Sequence, residues 1–413
     1  MTTSLPHTRI RIRDLSELVA GIPYVLGFPP TDSLVLFTFR RCPDLALSTT
    51  IRVDLPTPEL IPPVVADLAG AVDRNEAVAA IAVVVDNTGR DHRLLIETLR
   101  KTLAHKEVLL THASLVRKVA HGEKWQCYDD PLCTGTVPDP RTSALAAAIA
   151  VAGDTIYPSR EAMAAHLAPD SEEALARRRE LLNAYRSAAQ QPYSEEDLTA
   201  DLQTLGHALD AVMASRALPT LTDDELARLG IALSRTEVKD ECLAIALSDE
   251  SEPAERLWTV LVRALPAPER AEPAFLLGIS SYLRGSGVIA ALALKITMEA
   301  NPEHRMAVLL DYALQIGTPP DLLRSMIMTS VVRNHEAVPG FPLDDDPPWD
   351  TEEALHTEQR DDRDLARTEQ PSQEPTPSPE QAAEAEGIPV GHVTTVDPLA
   401  AFLPPPTERS EPG

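Results

Sequence analysis

Residues 77–86 read AVAAIAVVVD, a run of nine apolar residues that ends at an aspartate. A strand with one face in water alternates apolar and polar residues, whereas this run is apolar at every position. Its short length and its valines favour a strand over a helix. The run therefore predicts a central strand covered on both faces, so that the sheet needs other elements on each side.

The segments around this run predict the rest of a mixed α/β domain over residues 1–140. SLVLFTFR and LSTTIRVDLP are strands separated by the turn RCPD, and KEVLLTHASLVRKVAHGEKWQCY predicts two more strands with a turn at His121 and Gly122. Helices are predicted up to about Arg74 and over residues 91–104. The order is ββαβαββ, preceded by AGIPYVLGFPP, whose glycines and prolines predict a constrained loop.

Residues 141–335 carry a helical pattern almost without interruption, which predicts an all-helical second domain and makes the fold class α+β. Within it, GSGVIA matches the G-x-G-x-x-A fingerprint of dinucleotide-binding folds, but a helical pattern precedes it instead of the required strand. A tetratricopeptide-like helical hairpin explains the stretch better. Its packing positions are Leu277, Gly278, Gly285, Ala290, Leu294 and Pro302.

Residues 336–413 are predicted to form an acidic, proline-rich, disordered tail. From Phe341 onward the chain has eighteen acidic and four basic residues and thirteen of its 37 prolines. Such a segment buries too little apolar surface to offset the entropy lost on ordering. Within it, VDPLAAFLPPP places Leu399, Phe402 and Leu403 on one side of a single helical turn, which is typical of a peptide anchor for a groove. The alternative is an accidental apolar patch in a tail.

Charge and composition exclude several classes of function. A net charge of −26 argues against nucleic acid and against an anionic membrane surface as partners. The first twenty residues contain no uninterrupted apolar signal core, and no apolar run is long enough to span a bilayer. Four scattered cysteines without a Cys-x-x-Cys pair favour a reducing compartment. We expect a cytoplasmic protein.

Five polar residues near strand ends form the best candidate for a small-molecule pocket. Strand ends are where ligands gather in α/β sheets, and a hairpin between the first two strands brings the first four residues together. The candidates are Asp32, Ser33, Arg52, Asp54 and Asp86. The alternative interpretation is structural, with an ion-paired hairpin and with Asp86 capping a turn.

The N-terminal domain contains residues of the types that bind zinc. Four residues offer nitrogen and sulfur ligands, at spacings of nine, six and six residues: His112, His121, Cys127 and Cys133. Structural zinc sites usually use close pairs two to four residues apart, and no such pair occurs here. The spacing therefore favours a turn histidine and two core thiols, and we predict neither a metal nor a cofactor.

Motifs for a nucleophile elbow, a P-loop or a zinc protease are missing from the sequence as well.

Several segments together resemble the actinobacterial domain-of-unknown-function family 4192. They follow the family's order and cover most of residues 14–330, and they include ELVAGIPYVLGFPPTDSLVLF, EKWQCYDDPLCTGTVPDP, IYPSREAMAAHL and YLRGSGVIAALALKITMEANPEHRMAVLLDYALQIGTPP. The resemblance implies an architecture and a source but no reaction. The tail lies outside it.

The function predicted from these patterns is a non-enzymatic protein-interaction or regulatory module with a protein partner. Stacked helix pairs present concave surfaces that hold peptides, and the tail offers an anchor of its own. The alternative is an enzyme or small-molecule sensor whose pocket lies at the strand ends of the N-terminal domain.

Overall fold

The computed structural model describes residues 14–42, 44–152, 155–188, 193–214, 218, 220–248 and 250–335. The strands are β1 (Ser33–Cys42), β2 (Asp44–Asp54), β3 (Ala79–Val85), β4 (Leu109–Val116), β5 (Lys124–Cys127) and β6 (Thr134–Thr136). The helices are α1 (Leu15–Leu26), α2 (Ile61–Arg74), α3 (Arg93–Ala104), α4 (Ala144–Ala152), α5 (Arg160–His166), α6 (Glu172–Ala188), α7 (Glu195–Ala214), α8 (Asp223–Ala232), α9 (Thr236–Ala246), α10 (Ser251–Ala264), α11 (Ala271–Leu283), α12 (Gly287–Ala300), α13 (Arg305–Gln315) and α14 (Pro320–His335).

The six strands form one mixed sheet in the order β2-β1-β3-β4-β5-β6. Only β3 and β4 pair in parallel, because α3 connects them as a crossover, and the other neighbours are antiparallel. β3 lies between β1 and β4, and all seven of its residues are buried. The prediction of a mixed sheet followed by a helical region is therefore confirmed, and β6 is an edge strand that the pattern did not predict.

The predicted loop at AGIPYVLGFPP is wrong in its first half, where the structure has helix α1. Asp14 caps the helix by accepting a hydrogen bond from the amide of Glu17, and Gly27 ends it with a positive φ of 81°. Pro23 lies inside the helix. We attribute the helix to burial, since its apolar side chains pack on the sheet and this gain outweighs the unfavourable propensities of Gly21 and Pro23.

The sheet is covered on both faces, as the apolar run predicts. On one face α1 packs against alternate residues of the central strands, among them Val35, Ile81 and Val83. On the other face α2 and α3 pack against the intervening residues, among them Leu36, Ala82 and Val84. Alternation along each strand sends successive side chains to opposite faces, so a strand that is apolar throughout contributes to two cores.

The helical region has its own core, which centres on α10 and contains the fully buried Trp258. The predicted helical hairpin is formed by α11 and α12. Gly285 has a positive φ of 84° at the turn, and a Cβ placed on Gly278 would lie 3.1 Å from Cγ of Leu294. The two helices therefore approach closely where the first one has no side chain.

Contacts join the helical region to the sheet region. Asn75, which follows α2, donates from Nδ2 to the carbonyls of Ala71 and Gly317, in each case at 2.8 Å. Arg74 donates to the carbonyl of Ile316. Residues 14–332 lie within one compact unit. The domain boundary near residue 140 stays a prediction, and the predicted tail, residues 336–413, lies outside the described residues.

Candidate functional sites

The five predicted pocket residues lie at one end of the sheet. Ser33 begins β1 between Asp54 of β2 and Val85 of β3, and Asp86 directly follows Val85. Arg52 donates from Nε to Ser33 Oγ at 2.9 Å and pairs with Asp54 at 2.6 Å. The structure thus brings the set together, although Asp54 points into solvent with its side chain 79% exposed.

We call the five predicted residues, together with Thr88, Arg90 and His92, the strand-end cluster. Asp86 lies at its centre. Its carboxylate is buried and accepts hydrogen bonds from the amide and the hydroxyl of Thr88, at 2.9 and 2.7 Å, and it lies 2.8 Å from Nε2 of His92. Burial alone would raise the pKa of Asp86, but the hydrogen bonds from His92 and Thr88 outweigh it and hold the pKa well below its ordinary value. Asp86 is therefore ionised at neutral pH.

Arg90 completes the strand-end cluster. Its guanidinium lies 3.9 Å from both Asp32 and Asp86, and its Nε donates to Thr88 Oγ1 at 3.0 Å. Both oxygens of Asp86 are already occupied by neighbours in the protein. The arrangement is a polar network in which both oxygens of Asp86 have partners, and it stabilises the turn after β3.

A second cluster brings together three of the four residues of the N-terminal domain that are of zinc-binding type. His112 lies on β4, Cys127 ends β5, and Cys133 precedes β6. Their ligand atoms all lie within 4.8 Å of one another, and His112 Nε2 is 3.3 Å from Cys133 Sγ. His121 is exposed and does not belong to this group. We call His112, Cys127 and Cys133 the thiol–imidazole cluster.

The thiol–imidazole cluster perturbs the titration of all three members. The hydrogen bond with Cys127 raises the pKa of His112 above its ordinary value. Burial would raise the pKa of Cys127, but hydrogen bonds from His112 and from the amides of Asp129 and Asp130 lower it to about 7. Burial, followed by the charge on Cys127, raises the pKa of Cys133 to about 11.

Comparison with known proteins identifies the family. A family model described as "Domain of unknown function (DUF4192)" matches residues 16–321. The chain belongs to the DUF4192 family. No curated protein and no solved structure matches it. An actinobacterial source, implied by the resemblance in the sequence, stays a prediction.

The last two described helices of this DUF4192 chain carry exposed apolar side chains. On α13 these are Met306, Leu309 and Tyr312, at successive intervals of three residues, and on α14 they are Leu322 and Met326, four residues apart. Residues three or four apart share one side of a helix. We call these five residues the apolar helix surface. Other residues of the same helices, Leu310 and Ile327, are buried in the core.

Sequence reasoning missed three residues of the strand-end cluster in this DUF4192 chain: Thr88, Arg90 and His92. A Thr two residues after an Asp is a common turn signal and could have been recognised. His92 gave no comparable signal, because its contact with Asp86 depends on how residues 87–91 turn back. The predicted tail anchor, Leu399, Phe402 and Leu403, lies outside the described residues.

Among the described helices, none combines the length and the apolar character needed to cross a membrane.

Proposed function

We propose that this chain is a protein-interaction and regulatory module of the cytoplasm, and that the apolar helix surface is its docking site. One observation carries the proposal. Met306, Leu309, Tyr312, Leu322 and Met326 are each between 52% and 62% exposed, on two successive helices. Single exposed apolar residues are ordinary, whereas several exposed along one side of a helix are typical of binding surfaces.

The position of this surface supports the proposal. α13 and α14 are the last described helices of a region built by stacking helices on helices. In such stacks an inner helix pair is covered by the next pair, and the terminal pair usually carries a polar outer face. Here the last two described helices expose apolar side chains, which a further apolar element would bury.

The occupant we propose is a segment of the same chain, Asp397–Leu403. Its Leu399, Phe402 and Leu403 have the i, i+3, i+4 spacing with which a helical turn fills an apolar groove. Between His335 and Asp397 lie 61 residues. A chain of 61 residues spans up to about 200 Å when fully extended, so its length permits the segment to reach α13 and α14. Release of the segment would free the surface for a partner protein.

The alternative function, an enzyme or small-molecule sensor at the strand ends, has less support. Its central carboxylate, Asp86, already accepts hydrogen bonds from Thr88 and His92. Arg52 is likewise held by Ser33 and Asp54. A ligand would have to displace these contacts before it could bind.

Hydrogen exchange of the full chain tests the proposal. The double variant Phe402→Glu with Leu403→Glu removes the anchor's apolar side chains, and Val390→Glu is the matched tail control. We expect amides of α13 and α14 to exchange at least about threefold faster in the double variant, because a lost contact of about 0.7 kcal/mol or more changes an opening equilibrium by that factor. The Val390→Glu protein should exchange like the unmodified chain.

Protein concentration distinguishes the possible occupants in the same experiment. Protection that does not change with dilution supports the segment of the same molecule. Protection that disappears on dilution assigns the surface to a second copy and contradicts the proposed intramolecular contact. Equal exchange in all three proteins at every concentration would overturn the proposal.

A further inference from the structure

The thiol–imidazole cluster has the ligand types of a zinc site. Tetrahedral Zn²⁺ binds thiolate sulfur at about 2.3 Å and imidazole nitrogen at about 2.0 to 2.1 Å, so a nitrogen and a sulfur ligand lie about 3.5 Å apart. His112 Nε2 and Cys133 Sγ are 3.3 Å apart, and no pair of ligand atoms in the cluster is separated by more than 4.8 Å. Small side-chain rotations therefore suffice to place all three around one ion.

The backbone holds the two thiols together without any ion. Cys127 donates its amide to the carbonyl of Cys133 at 2.9 Å, and Cys133 donates its amide to the carbonyl of Asp130 at 3.0 Å. His112 is fixed separately, on β4 beside the central strand β3. The site is thus preorganised by the sheet, and metal binding would require little rearrangement of the chain.

A buried hydroxyl beside the cluster is an independent observation. Ser114 is fully buried, and its Oγ has no hydrogen-bond partner within the part of the chain that the structure describes. Ser114 pairs across the strands with Cys127 and lies two residues from His112, so all three side chains project from the same face of the sheet. A buried polar atom without a partner is costly, and a water or ion held at the cluster would supply one.

We propose that His112, Cys127 and Cys133 bind one Zn²⁺ ion, with a water molecule as fourth ligand beside Ser114. Thiolate and imidazole together favour zinc over the harder cations magnesium and calcium. The two thiols release their protons to solvent as the two zinc–sulfur bonds form, and the imidazole binds through the lone pair of one ring nitrogen. Two thiolates balance the charge of the ion. The water would complete the hydrogen bonding of Ser114.

Cobalt substitution in the full chain tests this proposal. Reduced protein freed of metal by a chelator is titrated with Co²⁺, whose tetrahedral thiolate complexes give a charge-transfer band and intense visible bands. We expect these bands to saturate at one Co²⁺ per chain and to disappear when Zn²⁺ is added. Protein purified without a chelator should contain one zinc per chain.

Matched variants assign the ligands. Cys133 is only partly buried, so Cys133→Ser should fold, and circular dichroism checks that it does. We expect this variant and His112→Gln to bind Co²⁺ at least about tenfold more weakly, since even changes to residues around a metal's ligands cost that much. Cys242→Ser, at a buried thiol on α9, and His121→Gln, at an exposed histidine, should leave the titration unchanged.

Two results would overturn the zinc site. One is a folded wild-type chain that binds no Co²⁺ or Zn²⁺ although mass spectrometry shows Cys127 and Cys133 to be free thiols. The other is metal binding that Cys133→Ser and His112→Gln leave unchanged. Both results are independent of the tail and of the apolar helix surface, so they do not bear on the proposed interaction function.

Discussion

At the scale of single residues, Asp86 stabilises a turn although its position and its histidine partner are typical of a catalytic or binding site. It is a buried carboxylate at the end of a central strand, and it faces a histidine. Its contacts with Thr88 and His92 nevertheless satisfy both oxygens. Asp86 therefore stabilises the turn that follows β3. The pKa of its carboxyl is lowered because the hydrogen bonds stabilise the charged form.

Replacing Asp86 with asparagine should destabilise the protein at pH 7 by about 1.5 to 3 kcal/mol, because hydrogen bonds to a charged acceptor are lost from a buried position. Urea unfolding measures the change. Asp54→Asn is the control, and it should change stability by at most about 1 kcal/mol, since Asp54 is exposed and its ion pair is at the surface. Equal stability of the two variants would contradict the role given to Asp86.

The same pair of proteins gives a pH dependence. The folded-state pKa of Asp86 is lowered, so its contribution is fully present above the unfolded value of about 3.9 and is lost as the pH falls below it. The stability difference between wild type and Asp86→Asn should therefore stay constant from pH 7 to about pH 5 and shrink in more acidic solution. A difference that grows on acidification would contradict this assignment.

At the scale of elements, α11 and α12 pack through a glycine. A Cβ added to Gly278 would lie 3.1 Å from Cγ and 3.2 Å from Cδ2 of Leu294, which is closer than ordinary contact. Gly206, within α7, has open space at the corresponding position. Both glycines are helical, so they separate the effect of packing from the effect of helix propensity.

Gly206→Ala should stabilise the protein by about 0.5 to 1 kcal/mol, since alanine is the better helix former. Gly278→Ala should lack this gain and be destabilising relative to Gly206→Ala by at least about 1 kcal/mol, because the new methyl group pushes α12 away. Denaturant unfolding of the two variants compares them. If Gly278→Ala is stabilised as much as Gly206→Ala, the two helices are not packed as closely as the structure has them.

At the scale of the whole molecule, the loop after α13 packs against α2 and so brings the helical region into contact with the sheet region. Gly317 has a positive φ of 69°, and a Cβ placed on it would lie 2.6 Å from Cβ of Ala71 on α2. The carbonyl of Gly317 also accepts the hydrogen bond from Asn75. Two distant parts of the chain thus meet where only a glycine fits.

Gly317→Ala should destabilise the protein by more than Gly285→Ala does. Both substitutions place alanine at a positive φ, which costs about 1 to 2 kcal/mol, but Gly285 has open space around it and Gly317 has Ala71 in contact. The difference in unfolding free energy is the cost of the clash with α2. Equal destabilisation would mean that the loop can move away from α2 without loss.

The sequence determined the elements whose pattern is strong and local. The apolar run at residues 77–86 gave a strand buried on both faces, and the periodic stretches after residue 141 gave helices. α1 was missed because Gly21 and Pro23 oppose a helix locally, and burial against the sheet outweighs them. Local propensity is a weak term, and tertiary packing decides wherever the two conflict.

Only the tertiary structure decided which polar residues converge. Spacings of fifteen and six residues argued against a shared site for His112, Cys127 and Cys133, since zinc ligands are recognised in sequence by close pairs. They meet because the antiparallel pairing of β4 with β5, and the tight loop that returns Cys133 to Cys127, bring distant positions onto one face of the sheet. A sequence specifies such a cluster through the register of its strands, and register depends on the packing of the whole sheet.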